Sequence, residues 1–395
     1  MKENYRKAIW SYDRYSKTYQ DGKSYVFTSR DIDHQKRLIK TYNIDPESLD
    51  IVKVDFIVQT ERLIRFIIKE LDTLLRVGGT FEIYIMNSKA HSMYYRSRDQ
   101  VKYEFSIATN GRYVLSDTKN GGVNGVLKLI YTKLYPTLPP DDQMDNWSFG
   151  IITNGSKLDS VNTLIRSIRK QNIPNCEIII CGPYLDEESI RENKLIILDD
   201  VVLHGDLRVP TPAKKNRIIE RATYNNLVIL HDRFCLPDEW YMRMVDYGNY
   251  FDYLCLPTVD KKKNRFGVDW MSFEFPLTKR FSNKNHSLSY NEWSEDIIIQ
   301  GGVIVGKCKQ MIKYKLDERL YWEELEDMHF SKVASLDGAF FYLDDRNYFI
   351  SESVNHKQLK KVKKINKTKL NILWVYLIVK NFLKYHFLLW RYYKR

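Results

Sequence analysis

Residues 227–233 read Leu-Val-Ile-Leu-His-Asp-Arg, an apolar run that ends abruptly in three polar side chains. A short run of this kind, without alternation, is typical of a strand that is buried on both faces of a parallel sheet. In such sheets, ligands bind beyond the carboxyl ends of the strands. We therefore expect His231, Asp232 and Arg233 to lie at a ligand-binding edge.

The same pattern extends over the sequence from residue 147 onward. Apolar segments at 149–153, 177–181 and 195–198 predict further strands, and helical spacing predicts a helix that Ser160 caps and another over about 213–222. This alternation predicts an α/β domain whose mostly parallel sheet is covered on both faces. Polar residues at the predicted strand ends should then share one edge: Thr153, Gly182, Asp199, Asp200 and Asp232.

A second informative segment is acidic. Residues 322–327 read Trp-Glu-Glu-Leu-Glu-Asp and open a predicted helix. Acidic side chains are common at helix N-termini because they interact favourably with the helix dipole, so the cluster alone also fits a structural role. Together with the strand that ends at Asp232, about ninety residues upstream, it predicts a catalytic site.

The order of these segments resembles that of the GT-A fold glycosyltransferases of the family-2 type, over residues 147–356. That family has a nucleotide-binding first strand, an Asp-rich metal motif after the fourth strand and a downstream Glu-Asp pair. The matching positions are residues 149–153, the triplet of His231, Asp232 and Arg233, and the pair Glu326 and Asp327.

The resemblance implies roles for individual residues. Asp327 is the candidate general base, because a hydroxyl is a poor nucleophile until a carboxylate takes its proton. Glu326 is a second catalytic candidate that could bind acceptor hydroxyls. The acceptor side is predicted at Gln300, Gly301, Gly302 and Trp322. The donor side is predicted at Thr153, Asn154, Asp199, Asp200, Lys214, Asn216, His231, Asp232 and Arg233.

The metal motif departs from the family pattern. The family carries Asp-x-Asp where this chain has His-Asp-Arg, and a divalent ion on a diphosphate prefers several hard oxygen ligands. Two expectations stay open. Either Asp232 holds Mn²⁺ or Mg²⁺ together with His356, with imidazole favouring manganese, or Arg233 places its charge directly on phosphate.

Residues 1–133 predict a smaller N-terminal α/β domain. A strand at 50–58, a helix at 61–75, a turn through Gly78 and Gly79 and a strand at 80–85 resemble the later half of a class I methyltransferase. The Gly-rich loop that would hold the methyltransferase cofactor is missing from the sequence. The proline-containing segment 134–146 is the predicted linker.

The net charge of +12 is concentrated at the C-terminus. Residues 356–395 carry 12 Lys and Arg and no acid, so residues 1–355 hold 50 charges of each sign. Segment 357–395 mixes lysines with apolar and aromatic residues in runs too short to span a bilayer. It therefore predicts a basic amphipathic helical tail on an anionic membrane surface, and no nucleic-acid partner.

Two further features favour a cytoplasmic protein. The five cysteines match no zinc or disulfide pattern, and the first residues lack the apolar segment of a secretory signal. We therefore expect a nucleotide-sugar-dependent transferase, peripheral on the inner face of the cell membrane, that extends a cell-surface polysaccharide or a lipid-linked glycan. S-adenosylmethionine-dependent methyl transfer by the N-terminal domain and a non-catalytic membrane scaffold are the alternatives.

Overall fold

The computed structural model describes residues 7–10, 24–27, 37–54, 64–87, 96–121, 125–138, 142–201, 209–265, 269–272, 288–290, 297–322 and 324–352. Strands are β1 (Lys7–Trp10), β2 (Ser24–Phe27), β3 (Leu49–Val54), β4 (Leu75–Met86), β5 (Tyr113–Asn120), β6 (Val126–Lys133), β7 (Asn146–Ile152), β8 (Asn175–Cys181), β9 (Ile196–Leu198), β10 (Asn226–His231), β11 (Phe234–Cys235), β12 (Tyr253–Cys255), β13 (Thr258–Val259), β14 (Met271–Ser272), β15 (Ile297–Ile298), β16 (Val303–Lys307), β17 (Phe341–Leu343) and β18 (Phe349–Ser351). Helices are α1 (Leu38–Thr41), α2 (Ile64–Asp72), α3 (Arg98–Ala108), α4 (Leu158–Arg169), α5 (Glu187–Asn193), α6 (Thr211–Arg221), α7 (Trp240–Tyr247), α8 (Cys308–Tyr314) and α9 (Glu326–Leu336).

The sheet that carries the site has the strand order β9-β8-β7-β10-β16-β12-β17. Strand β16 runs antiparallel to both of its neighbours, and the remaining neighbours in this sheet pair in parallel. The mostly parallel sheet that the sequence predicts is therefore confirmed. Strand β10 is the fourth of this sheet along the chain, so His231 and Asp232 lie at the end of the strand where the resemblance predicts the motif.

Both faces of this sheet are covered, as the apolar run at 227–230 predicts. Val228 and Leu230 pack in the core on the side of α4, and Leu227 and Ile229 pack with α6 on the other side. The predicted apolar face of α4 is buried as expected. The prediction that Ser160 caps this helix is wrong, because α4 begins at Leu158 after Lys157.

The N-terminal sheet has the order β2-β1-β3-β4-β6-β5, with β6 antiparallel to β4 and β5. The predicted strand–helix–strand unit is present as β3, α2 and β4. The expected turn at Gly78 and Gly79 is wrong: both lie inside β4, whose pairing with β3 shifts register there. The φ of +78° at Gly78 is one that glycine adopts without strain, which suits a β-bulge.

Helix α2 joins the two sheets into one packed body. The ring of Phe66 stacks on Phe340, beside β17, with 4.9 Å between centroids. Lys69 forms an ion pair with Asp252, next to β12, and Arg65 donates to the carbonyl of Ser335 at 2.8 Å. Phe66 accordingly belongs to the same core cluster as β7 and β10.

All five cysteines are free, and four of them are buried. Within the described ranges, no helix has the length and apolar character needed to span a bilayer. The predicted tail at 357–395 lies outside the described residues.

Candidate active site

The candidate site lies where the strand order reverses. The chain runs outward from β7 to β9 and then returns to β10 on the other side of β7. Ile152 and His231 are in register, so the residues that follow them meet at the carboxyl edge. There Thr153 Oγ1 donates to Asp232 Oδ2 at 3.0 Å. Such a reversal point opens a crevice between neighbouring loops, which is the usual ligand position in this class of sheet.

Lys214 lies at the same edge and contacts the ends of two strands. Its Nζ donates to the carbonyl of Thr153 at 2.8 Å and lies 2.6 Å from Asp200 Oδ1. Gly182 permits this approach: a Cβ at its position would lie 2.1 Å from the carbonyl oxygen of Thr153 and 3.4 Å from Lys214 Nζ. The structure thus brings together three of the predicted donor residues, and Lys214 is almost fully buried.

The turn before β16 links the end of β10 to the acidic pair. Because β16 is antiparallel to β10, its first residues lie at the edge where β10 ends. The N–H of His231 donates to the carbonyl of Gly302 at 3.0 Å, and the N–H of Gly301 donates to Asp327 Oδ2 at 2.9 Å. A Cβ on Gly301 would lie 3.1 Å from both Asp327 and Glu326, closer than most Cβ contacts.

Asp327 and Glu326 form the first turn of α9, which therefore begins four residues later than the acidic segment 322–327 predicts. Burial and the adjacent Glu326 raise the pKa of Asp327. The N–H groups of Gly301 and Met328 and the charge of Lys215 oppose this rise. A raised pKa makes a carboxylate a stronger base, so Asp327 is better suited to accept a proton than an ordinary exposed carboxylate.

Among the described residues, the buried Nε2 atom of His231 and the side-chain amide nitrogen of Gln300 have no hydrogen-bond partner. Buried polar atoms are rarely left unpaired in proteins, so both are candidates to bind a ligand or water. Burial holds the pKa of His231 well below its usual range, and the positive charges of Lys215, Arg233 and Lys157 lower it further. His231 is therefore neutral at pH 7.

Arg233 adds a cation at the same edge. Its guanidinium lies over the ring of Phe234, with 5.2 Å to the centroid. A Cβ on Gly302 would lie 3.2 Å from one of its terminal nitrogens, so the glycine leaves room for this side chain. Burial lowers the pKa of Arg233, and the charge of Asp232 opposes that effect.

Four residues that the sequence predicts for the donor or acceptor side make other contacts in the structure. Asn216 is buried and binds Leu316 through both its amide nitrogen, at 2.8 Å, and its oxygen, at 3.0 Å, so it anchors the segment after α8. Asp199 accepts from Arg217 through its main-chain carbonyl. The side chain of Asn154 binds Ser156 in its own exposed turn. Trp322 is exposed and bonds through its N–H to the carbonyl of Val209.

Sequence reasoning missed Lys215, which is fully buried beneath the acidic pair, with its Nζ 3.3 Å from Glu326 Oε1. A signal for it was present in the sequence. Lys215 precedes Ile218 and Ile219 by three and four residues, which places it on the buried face of α6.

The expected metal site at Asp232 can be compared with the side chains that surround it. The side chains of Lys157, Lys215 and Arg233 make this edge cationic, and Asp232 is the carboxylate that binds Thr153 there. Within the described residues, no group of three or more His, Cys, Asp or Glu side chains is placed to hold a metal ion. The described residues thus supply Asp232 but no set of three protein ligands, and His356, the second predicted ligand, lies outside them.

Replacing Asp327 with Asn should stabilise the protein at neutral pH. The folded state binds this proton more tightly than the unfolded chain, so folding loses stability as the pH rises through the raised pKa of Asp327. We expect Asp327→Asn to have a higher thermal unfolding midpoint than the wild type at pH 7.5, with a difference that shrinks as the pH falls.

Asp337, at the other end of α9, is the matched control, because its ion pair with Lys313 lowers its pKa. Its contribution to stability is present above the unfolded-state pKa and is lost on acidification. Asp337→Asn should therefore be less stable than the wild type at pH 7.5. An Asp327→Asn variant that is also destabilised there would contradict the proposed surroundings of Asp327.

Comparison with known proteins gives partial structural likenesses. The crystal structure of S. aureus TarS is 15% identical, with 54% of this chain and 37% of TarS covered and a TM-score of 0.38. The structure of TarS 1–349 is 14% identical over 52% of this chain and 60% of that one, and its complex with UDP is 14% identical over 54% and 62%, both with a TM-score of 0.36. The chain thus spans less than two thirds of each. No family model and no curated protein matches it.

Proposed function

We propose that residues 147–356 form a glycosyltransferase that moves a sugar from a nucleotide-sugar donor to a glycan or lipid-linked acceptor in cell-surface polysaccharide synthesis. One observation carries the proposal. Continuous contacts lead from Thr153 and Asp232, at the strand-order reversal, through Gly302 and Gly301 to a carboxyl group with a raised pKa, Asp327. The edge where ligands bind in sheets of this class and a candidate base therefore coincide.

The donor diphosphate is assigned to the cationic part of this edge. Arg233 and Lys157 lie on the β10 and β7 sides, and a planar guanidinium suits phosphate oxygens. Backbone N–H groups and cations that are already in place stabilise negative charge on a departing diphosphate without having to reorganise. The neutral imidazole of His231 and the amide of Gln300 are left to bind hydroxyls of the donor sugar or the acceptor.

Asp327 completes the reaction as general base. An acceptor hydroxyl oxygen forms a bond to the anomeric carbon while the bond from that carbon to the β-phosphate oxygen breaks. The nucleoside diphosphate leaves with the bonding electron pair, and the hydroxyl proton passes to Asp327. A single displacement assisted by one base inverts the anomeric carbon, so we assign an inverting mechanism.

The test is turnover of nucleotide-sugar donors, measured as release of nucleoside diphosphate, by the wild type and two variants. Asp327→Asn should lower kcat by about 10²- to 10⁴-fold, the range for loss of general base catalysis. Asp232→Ala should also abolish turnover. The control Asp337→Asn changes the far end of the same helix and should retain activity. Wild-type protein without turnover of any donor, or full activity of both variants, would favour the non-catalytic scaffold.

The proposed cofactor is Mn²⁺ or Mg²⁺ at Asp232, with His356 as a second ligand. This leads us to expect that EDTA abolishes turnover and that added Mn²⁺ restores it, more effectively than Mg²⁺ because imidazole favours manganese. The His356→Ala variant should then need a higher Mn²⁺ concentration for half-maximal rate. Full turnover in EDTA would contradict a metal role and would assign the diphosphate charge to Arg233.

The proposed location is the inner face of the cell membrane, reached through the basic segment 357–395. Because this segment combines lysines with apolar and aromatic side chains, deletion of 357–395 should move the protein from the membrane to the soluble fraction after cell lysis. A variant with five lysines of this segment changed to Gln is the control, because it removes positive charge and keeps the apolar residues. Unchanged partition of the deletion variant would mean that the tail packs on the protein instead.

A further inference from the structure

Lys215 occupies an unusual position for a lysine. Its side chain is fully buried at the start of α6, with Nζ 3.3 Å from Glu326 Oε1, an oxygen that also lies 3.5 Å from Thr211 Oγ1. Burying an ammonium group costs several kcal/mol unless an opposite charge compensates it. Burial accordingly lowers the pKa of Lys215, while Glu326 and Asp327 oppose that effect. The cation is therefore held by the acidic pair.

The two carboxylates of this pair have different partners. Glu326 faces Lys215 and Thr211, and its side chain is almost completely buried. Asp327 instead accepts backbone N–H groups, from Gly301 at Oδ2 and from Met328 at Oδ1, at 2.9 Å and 2.8 Å. Backbone amides orient a carboxylate without neutralising its charge, and each oxygen keeps a lone pair that can accept a proton.

The charges that act on Asp327 come from three directions. Glu326 lies on its own helix, Lys215 comes from α6, and the backbone N–H dipoles of Gly301 and Met328 come from the turn before β16 and from α9 itself. Strand β15, which packs against α9, contributes only isoleucines. Without Lys215, the charge of Glu326 would act on Asp327 uncompensated, and two adjacent carboxylates do not both ionise easily in a buried site.

We propose that Lys215 is a positioning residue that neutralises Glu326 and so leaves Asp327 as the carboxylate that takes the proton of the acceptor. This inference rests on the proposed sugar transfer at the same site. It also assigns different roles to two neighbouring acids: Glu326 holds Lys215 in place, and Asp327 reacts. Lys215 itself touches neither donor nor acceptor.

The test is the pH dependence of kcat/KM for Lys215→Met. Loss of the cation should move the acidic limb, where Asp327 takes up its proton, to higher pH by about 1–3 units, the usual effect of removing a nearby opposite charge from a carboxylate. Lys215→Arg keeps the charge and should restore the limb to within a fraction of a unit of the wild type. A purely structural role would lower the rate at every pH without moving the limb.

A double variant tests charge compensation. Lys215→Met with Glu326→Gln removes the cation together with the anion that it neutralises, so its acidic limb should return toward the wild-type position. Should Lys215→Met alone fail to fold, the double variant is compared with Glu326→Gln, which differs from it only at Lys215. The limb of the double variant should then lie at the higher pH of the two.

Lys307 provides the matched control. It is also a buried lysine of this domain, but it lies at the other end of β16, where it contacts Asn226 at 2.7 Å and Asp142 at 3.1 Å. Lys307→Met should lower the thermal unfolding midpoint and leave the acidic limb in place.

Different results would refute the role of Lys215 and the proposed sugar transfer. An active wild type, an inactive Asp327→Asn variant and an unshifted limb in Lys215→Met would overturn the role of Lys215 and leave sugar transfer intact. Absence of turnover in the wild type would overturn both.

Discussion

The pairing of β10 with both β7 and β16 determines the geometry of the site. Strand β10 runs parallel to β7 and antiparallel to β16, so its carboxyl end meets the end of one neighbour and the beginning of the other. Thr153 thereby reaches Asp232, and the Gly301–Gly302 turn reaches both His231 and the acidic pair. A parallel neighbour in place of β16 would have carried that turn to the opposite edge. The reversed direction of one strand thus brings residues nearly a hundred positions apart into one crevice.

Helix α6 organises the charges of this crevice with two consecutive lysines. Lys214 turns toward the ends of β7 and β9, where it binds Thr153 and Asp200, and Lys215 turns toward Glu326 in α9. Both are buried, so the neutralisation that they provide is weakly screened by solvent. The two lysines come close to the sheet because α6 packs tightly on it: Ile218 of α6 lies against Gly150 and leaves no space for a Cβ on that glycine.

The sequence predicts the local elements better than the contacts between them. Continuous apolar runs predicted the strands through 227–230, and 3.6-residue spacing predicted the buried face of α4, because both patterns reflect burial directly. The start of α9 at Glu326, the bulge at Gly78 and the start of α4 after Lys157 are not signalled by the local pattern of apolar residues. The partners of Asn216 and Lys215 are also absent from the local pattern. Helical spacing to Ile218 and Ile219 indicates that Lys215 is buried, but its contact with Glu326 and that of Asn216 with Leu316 join residues about a hundred positions apart.

The most direct test of a nucleotide-sugar crevice at the carboxyl edge is ligand-induced stabilisation. The thermal unfolding midpoint of the full chain would be measured with UDP-, GDP-, CMP- and dTDP-sugars, each with and without Mn²⁺, for the wild type and for Asp232→Ala. A donor at a hundredfold its dissociation constant stabilises the folded state by about 2.7 kcal/mol. We predict a clear rise of the midpoint with one class of donor in the wild type and its loss in the variant. No rise with any donor, or an equal rise in both proteins, would contradict the account.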